Sequence, residues 1–363
     1  MHPTLPAADI PPRAPARVRR IPPRLPHLIG LLVAAAACWP GALSNARAGT
    51  ARTQTIPLHA GWNAVFLEVQ PTSPRPDALF ADLPVETVAC FLPGRQEAEY
   101  LRSPGDAPWR EEGWAIWHAA SRPDAFLSNL HEIQAQRGLL ILASRDFVWS
   151  VSGEARATVL RWHPNTCTLT GLPVDPAAPP TFSRFFAGSA AHRRLRIFRL
   201  ESGSWRLVRN PATERASSGE AYWIQTDGAS RFQGPLRLEL PASGELDFDE
   251  SVANRELGLI NEAADDSASP RIEWVRDANA LPLRWVNKDP RSLAATYTPL
   301  STRLDLPSLA AGHRATIRLE PHRDAMPSDA ASTLLRIADG RGTQIWLPVR
   351  ARRGSASSPS SRP

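Results

Sequence analysis

Lysine and cysteine are the residue types that this chain of 363 residues most lacks. Lys288 is the only lysine, although lysine and arginine together number 42. A lysine nucleophile elsewhere in the chain is therefore excluded. Only three cysteines occur, and none of them forms a C-x-x-C motif.

Catalytic and metal-binding motifs are also absent. No G-x-S-x-G elbow and no glycine-rich phosphate loop occurs. His131-Glu132 begins like a zinc-protease helix, but Ala135 stands where the second histidine is required. The acidic stretches 247–250 and 262–266 lack the glycine turn of a calcium loop, which favours solvated loops. The sequence thus predicts no catalytic residue, no metal and no cofactor, while a Ser-His-Asp triad stays open because its members can be remote in the chain.

A long apolar run occurs only near the N-terminus. Residues 28–39 are apolar, follow five arginines between 13 and 24, and precede the small-x-small site 46–48. This order is typical of a secretory signal peptide, and the run is shorter than the roughly 20 residues of a membrane span. We expect cleavage after Ala48, export to the periplasm, cell surface or extracellular space, and no span in the mature chain. A retained membrane anchor is the alternative.

The positive charge lies at the two ends of the chain. The formal net charge is +6, but the leader 1–48 contributes +5 and the tail 350–363 contributes +4, so the body is at −3. A basic leader and tail do not make a nucleic-acid surface, and we expect no nucleic-acid partner. Cleavage of the leader would remove Cys38, so the mature chain would contain only Cys90 and Cys167. In an exported protein these two could form a disulfide or remain as buried thiols.

The hydrophobic pattern is that of β-strands. Short apolar or alternating runs such as "WNAVFLEV", "GLLILAS" and "AYWIQT" are bounded by Pro, Gly, Asn and Asp. Helices are predicted only at 75–83, 123–133 and 179–188. The predicted fold class is mainly β, with two related β-rich units that carry short helices and then an immunoglobulin-like β-sandwich.

Two offsets relate the two units. A shift of 105 places Val69 on Val174 and Phe80 on Phe185, whereas a shift of 81 places Gly138 on Gly219. The difference of 24 indicates an insertion of that size in the first unit. We therefore predict unit 1 at 49–157, with an inserted loop at about 95–122, and unit 2 at 158–243.

The ends of the two units carry further motifs. "GWNAVFLEVQP" (61–71) opens the first unit, and Gly219, "YWI" (222–224) and Gly234 close the second. Together they resemble exported bacterial β-rich modular proteins with GWN…GYW-type repeat units followed by an immunoglobulin-like domain. The resemblance covers roughly 54–240 and implies no general catalytic role.

The last region, 244–351, has short strands and about the length of an immunoglobulin-like sandwich. The turn Asp339-Gly340-Arg341-Gly342 predicts a hairpin with "TQIWLPV" as its second strand. The tail 352–363 is of low complexity and is predicted to be disordered.

The inserted loop is the candidate ligand site. Aromatic and acidic side chains occur there together, and this combination suits a sugar ring or a hydrophobic partner. The candidate residues are Tyr100, Trp109, Glu111, Glu112, Trp114 and Trp117. The alternative is that "WAIW" is a buried strand with Trp114 and Trp117 on opposite faces. We expect Trp62 and Trp223, which lie within apolar strands, to be core residues.

The function predicted from the sequence is that of an exported, non-enzymatic binding or scaffolding protein of the bacterial envelope or extracellular space. Its partner would be another envelope or extracellular protein, or a glycan. One alternative is an exported carbohydrate-binding or hydrolytic protein whose site is the unit 1 loop. Another is a subunit of a surface assembly, in which an exposed sheet edge of the last domain pairs with a partner strand.

Overall fold

Strands dominate the described part of the chain, and every helix there is short. The computed structural model describes residues 49–92, 113–241, 243–277, 279–288, 292 and 294–354. The mainly β fold class is confirmed, with antiparallel sheets and a sandwich in the last region. Buried and exposed residues alternate along strands such as 147–155, because one face of the strand contacts a core.

The first region builds two sheets around one core. Its strands are β1 (Ala51–Leu58), β2 (Gly61–Leu67), β3 (Val69–Pro71), β4 (Val85–Phe91), β5 (Trp114–His118), β6 (Arg137–Ala143) and β7 (Phe147–Ala155). The three-stranded sheet has the order β1-β7-β3, and the four-stranded sheet has the order β2-β6-β4-β5. Phe80, Ile133, Leu139 and Trp149 are buried in the core between them. We call this set the first core.

The second region has one four-stranded sheet with the same topology. Its strands are β8 (Cys167–Thr170), β9 (Ile197–Glu201), β10 (Ser204–Leu207) and β11 (Tyr222–Gln225), in the order β8-β11-β9-β10. In both four-stranded sheets the first strand lies beside the fourth, followed by the second and the third. β5 and β10 therefore occupy the same place, and the residues that are extra in the first region lie between β4 and β5. The inserted loop predicted at about 95–122 includes β5, and its limits stay a prediction.

The two four-stranded sheets pack face to face. Phe66 and Leu140 from one sheet meet Leu169 and Trp223 from the other in a continuous buried cluster. Backbone hydrogen bonds join the sheets as well. The Phe66 N–H donates to the Gly219 carbonyl oxygen at 2.8 Å, and the Ala221 N–H donates to the Ala64 carbonyl oxygen at 3.0 Å. We call this buried cluster the inter-sheet cluster.

The last region is a sandwich of two five-stranded sheets. Its strands are β12 (Leu236–Glu239), β13 (Leu246–Asp247), β14 (Arg255–Asn261), β15 (Arg271–Val275), β16 (Leu283–Lys288), β17 (Ala295–Pro299), β18 (Arg303–Asp305), β19 (Arg314–Pro321), β20 (Ala330–Ala338) and β21 (Gln344–Arg352). The sheet orders are β12-β14-β19-β16-β17 and β13-β21-β20-β15-β18. β12 thus joins the sandwich, although residues 236–239 precede the predicted limit at 244.

The predicted hairpin at 339–342 is present between β20 and β21. Asp339 Oδ1 accepts hydrogen bonds from the backbone N–H groups of Arg341 and Thr343, at 2.7 and 2.9 Å, which fixes the turn. The turn also touches the second region. Thr343 forms a β-bridge with Val174, and Gly342 accepts a hydrogen bond from the Asp175 N–H. The sandwich is therefore fastened to the second region at its hairpin tip.

Two of the three predicted helices form, each with one or two turns. They are α1 (Pro76–Leu79) and α2 (Phe182–Phe186). The predicted helix at 123–133 is wrong, because only a 3₁₀ turn forms there, at Ala125–Leu127. Asn129 and Leu130 instead donate their backbone N–H groups to the Ile116 carbonyl oxygen of β5, and Asn129 Oδ1 accepts from the Ile116 N–H. These residues thus pair with the outer edge of β5 and do not form the predicted helix.

Candidate functional site

Trp117, one of the candidate ligand residues, is a core residue. It extends from β5 into the first core, and only 6% of it is exposed. Its indole Nε1–H donates to Asp77 Oδ1 at 2.7 Å, and its ring lies 5.5 Å from the ring of Phe80. A buried indole with a satisfied N–H stabilises the fold and offers no face to a ligand.

Trp114 lies on the opposite face of the same strand. Its half-buried ring belongs to the edge of the inter-sheet cluster, 5.2 Å from the ring of Phe91 and 6.4 Å from that of Trp223. Trp114 and Trp117 therefore lie on opposite faces of β5 and do not form one surface. This is the arrangement that the buried-strand alternative predicts. The partly exposed aromatic pair at this end of the cluster is Phe91 and Trp114.

The other four candidate residues, Tyr100, Trp109, Glu111 and Glu112, lie outside the described residues. Leu92 and Gly113 are the described residues on either side of this segment. The Leu92 N–H donates to the Gly113 carbonyl oxygen at 2.6 Å. The ends of this segment are thus adjacent to Phe91 and Trp114. The sugar-binding hypothesis for the loop stays a prediction.

Trp62 and Trp223 both belong to the inter-sheet cluster. Trp223 is completely buried, and Trp62 is half-buried against the cluster. Cys167, which occupies the place of Trp62 in the second unit at the offset of 105, packs against the same cluster. These contacts favour packing as the role of all three positions.

Cys90 and Cys167 are present as free thiols. Cys90 is directed into the first core, whereas its strand neighbours Ala89 and Phe91 contact the inter-sheet cluster, to which Cys167 belongs. The two thiols are thus on opposite faces of the sheet that contains β4. Burial raises the pKa of Cys90 to about 11, so this thiol stays protonated and unreactive.

A Ser–His contact that sequence reasoning did not nominate lies in the second region. Ser189 Oγ and His192 Nδ1 are 2.6 Å apart, and His192 Nε2 lies 3.3 Å from Thr226 Oγ1. Burial lowers the pKa of His192 to about 4, although Asp227 opposes the shift. All three contacting side chains are buried, and the His192 ring makes an edge-to-face contact with the ring of Trp162. Such a group holds a loop in place and is not accessible to a substrate.

The edges of the β-sheets differ in how they are covered. The outer edge of β5 is closed by residues 128–130, as described above. β18 has three residues and carries the ion pair of Arg303 with Asp305, and β13 has only two residues. Short and charged edges resist pairing with other chains.

β17 is the open edge of the sandwich. It has no charged residue, and four of its five residues are exposed, including Tyr297 at 51%. β17 is the terminal strand of its sheet, so within the described residues no strand pairs with its outer side. Exposed Thr and Tyr residues in an uncharged edge strand favour the addition of a further strand. The surface-assembly alternative drawn from the sequence includes an exposed sheet edge in this domain but does not say which strand forms it.

The described residues also give no sign of a metal site or of a membrane-spanning helix. The described residues contain no group of three or more His, Cys, Asp and Glu side chains that could hold a metal ion. Within the same residues, no helix has the length and apolar character needed to cross a membrane.

Comparison with known proteins gives little. No family model and no curated protein matches the chain. A solved structure that does match is a chaperone–tip adhesion subunit pre-assembly complex, CsuC–CsuE, from the archaic chaperone-usher Csu pili of Acinetobacter baumannii. The identity is 14% and the TM-score 0.19, over 33% of this chain and 57% of that chain. So low a TM-score carries no functional information.

Proposed function

We propose that this chain is an exported, non-enzymatic binding or scaffolding protein of the bacterial envelope or extracellular space, and that it contacts a protein partner through the open edge at β17. The observation that carries the proposal is the contrast between this neutral, exposed strand and the covered, short or charged edges at β5, β13 and β18. Strand addition to an open edge provides main-chain hydrogen bonds without a preformed pocket.

The packing behind β17 suits a docking platform. β17 pairs along its whole length with β16, which in turn pairs with β19 in the middle of the sheet. Leu283 and Leu300 next to the edge, and Leu319 on the middle strand β19, are buried in the sandwich core. The strand is thus held in an extended conformation before a partner arrives, which lowers the entropic cost of binding.

Site-specific photo-crosslinking tests the contact. A benzophenone amino acid replaces Tyr297 in the full chain, produced in its own bacterium, and adducts from intact cells are identified by mass spectrometry. The matched control carries the same group at Val148, an exposed apolar residue on the central strand β7. We expect an adduct with an envelope or extracellular protein only from position 297. No adduct, or equal adducts from both positions, would overturn the proposed contact.

Export is tested separately. Cell fractionation followed by N-terminal sequencing should find the mature chain outside the cytoplasm and beginning at Gly49. A full-length chain in the cytoplasm would contradict the exported location, whatever the crosslinking shows.

A further inference from the structure

We propose that the partner at β17 is a second copy of this chain, paired antiparallel about a two-fold axis through Tyr297. This inference rests on the proposed function and identifies the partner. The backbone groups that β17 leaves open and the symmetry of its sequence favour a second copy as the occupant.

The hydrogen-bonding pattern defines which groups face outward. The Leu300 N–H donates to the Leu283 carbonyl oxygen at 2.8 Å, and antiparallel pairs alternate between bonded and non-bonded along a ladder. In the register of β16 with β17, Thr298 and Thr296 therefore bond to β16. The backbone groups of Ala295, Tyr297 and Pro299 face away from the sheet.

A bond on the other side of β16 supports this assignment. The His322 N–H donates to the Pro282 carbonyl oxygen at 2.8 Å, so in the same alternation Arg284 and Val286 bond to β19. The neighbouring residues Leu283 and Trp285 must then bond to the β17 side, as the first observation requires. Pro299, which has no N–H, lies at an outward position, where an edge strand tolerates proline.

The sequence of β17 is symmetric about Tyr297. In "ATYTP" a threonine stands on each side of the tyrosine. A two-fold axis at Tyr297 places Thr296 opposite Thr298 of the second copy, on both sides of the axis, and Tyr297 opposite its own counterpart. Cross-strand Thr–Thr and aromatic pairs stabilise antiparallel strands.

In this register the outward backbone donors of one copy lie opposite the outward backbone acceptors of the other. Each Tyr297 N–H donates to the carbonyl oxygen of the other Tyr297, and each Ala295 N–H donates to the carbonyl oxygen of Pro299 in the second copy. The missing N–H of Pro299 leaves the Ala295 carbonyl oxygen at the end of the ladder, where water can reach it. Two five-stranded sheets thereby become one ten-stranded sheet.

The absence of charge permits the contact, since no like charges on β17 oppose each other across the axis. The contact is small, because two five-residue strands bury far less than the about 1,200 Å² of the smallest stable interfaces. The dimer should therefore be reversible and its fraction should rise with protein concentration.

Sedimentation of the full chain over a range of concentrations tests the pairing. Tyr297→Pro removes the two central donors, and it removes no bond to β16 because that N–H faces outward. Tyr297→Val keeps the donors and the extended conformation. We expect wild type and Tyr297→Val to form dimers and Tyr297→Pro to remain monomeric, with unchanged thermal unfolding. A monomeric wild type, or a Tyr297→Pro variant that dimerises like wild type, would overturn the proposal.

Disulfide trapping tests the register. Thr296→Cys and Thr298→Cys are made separately in a background with Cys38→Ala and Cys167→Ala, and one of the two variants carries a tag. The proposed register makes 296 and 298 a non-bonded pair, whose Cα atoms approach to about 4.5 Å, so the mixture should form a disulfide-linked dimer. Thr296→Cys alone should form much less. Efficient linkage of Thr296→Cys with itself would overturn the register.

The two proposals fail differently. If position 297 crosslinks to another protein while the wild-type chain stays monomeric, the inference of self-pairing falls and the binding function stands. If position 297 crosslinks to nothing, both fall.

Discussion

Phe66 and Gly171 touch where the two four-stranded sheets face each other. A Cβ atom on Gly171 would overlap the Phe66 ring, so only glycine fits there. At the offset of 105 these two are matching positions of the predicted units. In a two-fold symmetric dimer, a position that contacts its own counterpart in the other copy lies next to the axis. If the two predicted units arose by duplication of one unit that formed dimers, the dimer contact would persist between them as a contact of this kind. The duplication itself stays a prediction.

Gly171→Ala should destabilise the protein. The added methyl group meets the backbone-proximal atoms of the Phe66 side chain, which cannot swing away, and overpacking of this kind costs about 1–3 kcal/mol. Urea unfolding followed by tryptophan fluorescence measures the loss. In a Phe66→Gly background the same substitution should cost clearly less, because the ring and the Cβ atom that the new methyl group meets are both gone. Equal costs in both backgrounds would contradict the contact.

Trp117 and Trp114 should respond differently to substitution. Trp117→Ala should cost about 3–5 kcal/mol, since it empties a core site. Asp77→Ala alone should cost less, about 0.5–1.5 kcal/mol, because it removes the part-buried hydrogen bond of the indole N–H. Trp114→Phe, which keeps an aromatic ring against Phe91, should be nearly neutral. Urea unfolding of the three variants checks this order.

The sugar-binding hypothesis is tested on the same positions. If the loop binds glycans, titration with soluble oligosaccharides should shift the tryptophan emission of the wild type, and Trp114→Ala should abolish the shift. Trp114→Phe is the matched control, because it retains an aromatic face. An emission spectrum that no glycan changes would remove this alternative and leave Trp114 a packing residue.

His192 should make the stability fall in acid. Its pKa is near 4 in the folded protein and 6.5 in the reference state, so between these values only the unfolded chain binds the proton. The free energy of unfolding therefore keeps its full value above about pH 6.5, as far as His192 is concerned. It falls progressively as the pH falls toward 4, by about 1–3 kcal/mol in all.

The comparison with His192→Gln isolates this residue. The pKa values of His118 and His163 are lowered too, also by burial, so the wild-type profile alone does not assign the effect. Urea unfolding at pH 7.5 and 4.5 should show a smaller loss for His192→Gln than for the wild type. The same loss in both proteins would show that His192 does not carry it.

The cysteines should remain reduced in the folded protein. Cys90 points into the first core, whereas Cys167 belongs to the other sheet and packs against the opposite face of the β4 sheet. A bond between them therefore requires the β4 sheet to open. Alkylation with iodoacetamide in denaturant, without reductant, should modify both residues, and in native buffer Cys90 should react far more slowly than in denaturant. A mass two hydrogens lower and no alkylation would indicate the disulfide that the sequence left open.

Strand positions could be predicted from the sequence because period-two burial and turn residues are local signals. The run 221–226 predicted β11, and the Asp339 turn predicted the hairpin of β20 and β21, since both signals lie within a few residues. The helix at 123–133 failed for a nonlocal reason. Its residues bond to the edge of β5, and no local pattern shows that an edge needs covering.

The candidate site was harder to predict because side-chain direction depends on the register of the sheet. Trp114 and Trp117 are three residues apart and thus lie on opposite faces, but only the fold shows that both faces are covered. The Ser189–His192 contact has a local signal, the spacing of three. Its burial under Trp162, which decides its role, depends on residues far away in the chain.

The position of β12 determines how the chain can be dissected. Leu236 is fully buried in the sandwich core, and β12 pairs with β14 along four residues. A fragment that begins at 244 would lose this strand and expose the side of β14, with an apolar gap where Leu236 packs. Such a fragment should aggregate, whereas one that begins a few residues before 236 retains the complete sheet. The residues 236–239, which the sequence predicts to close the second unit, thus form the first strand of the sandwich.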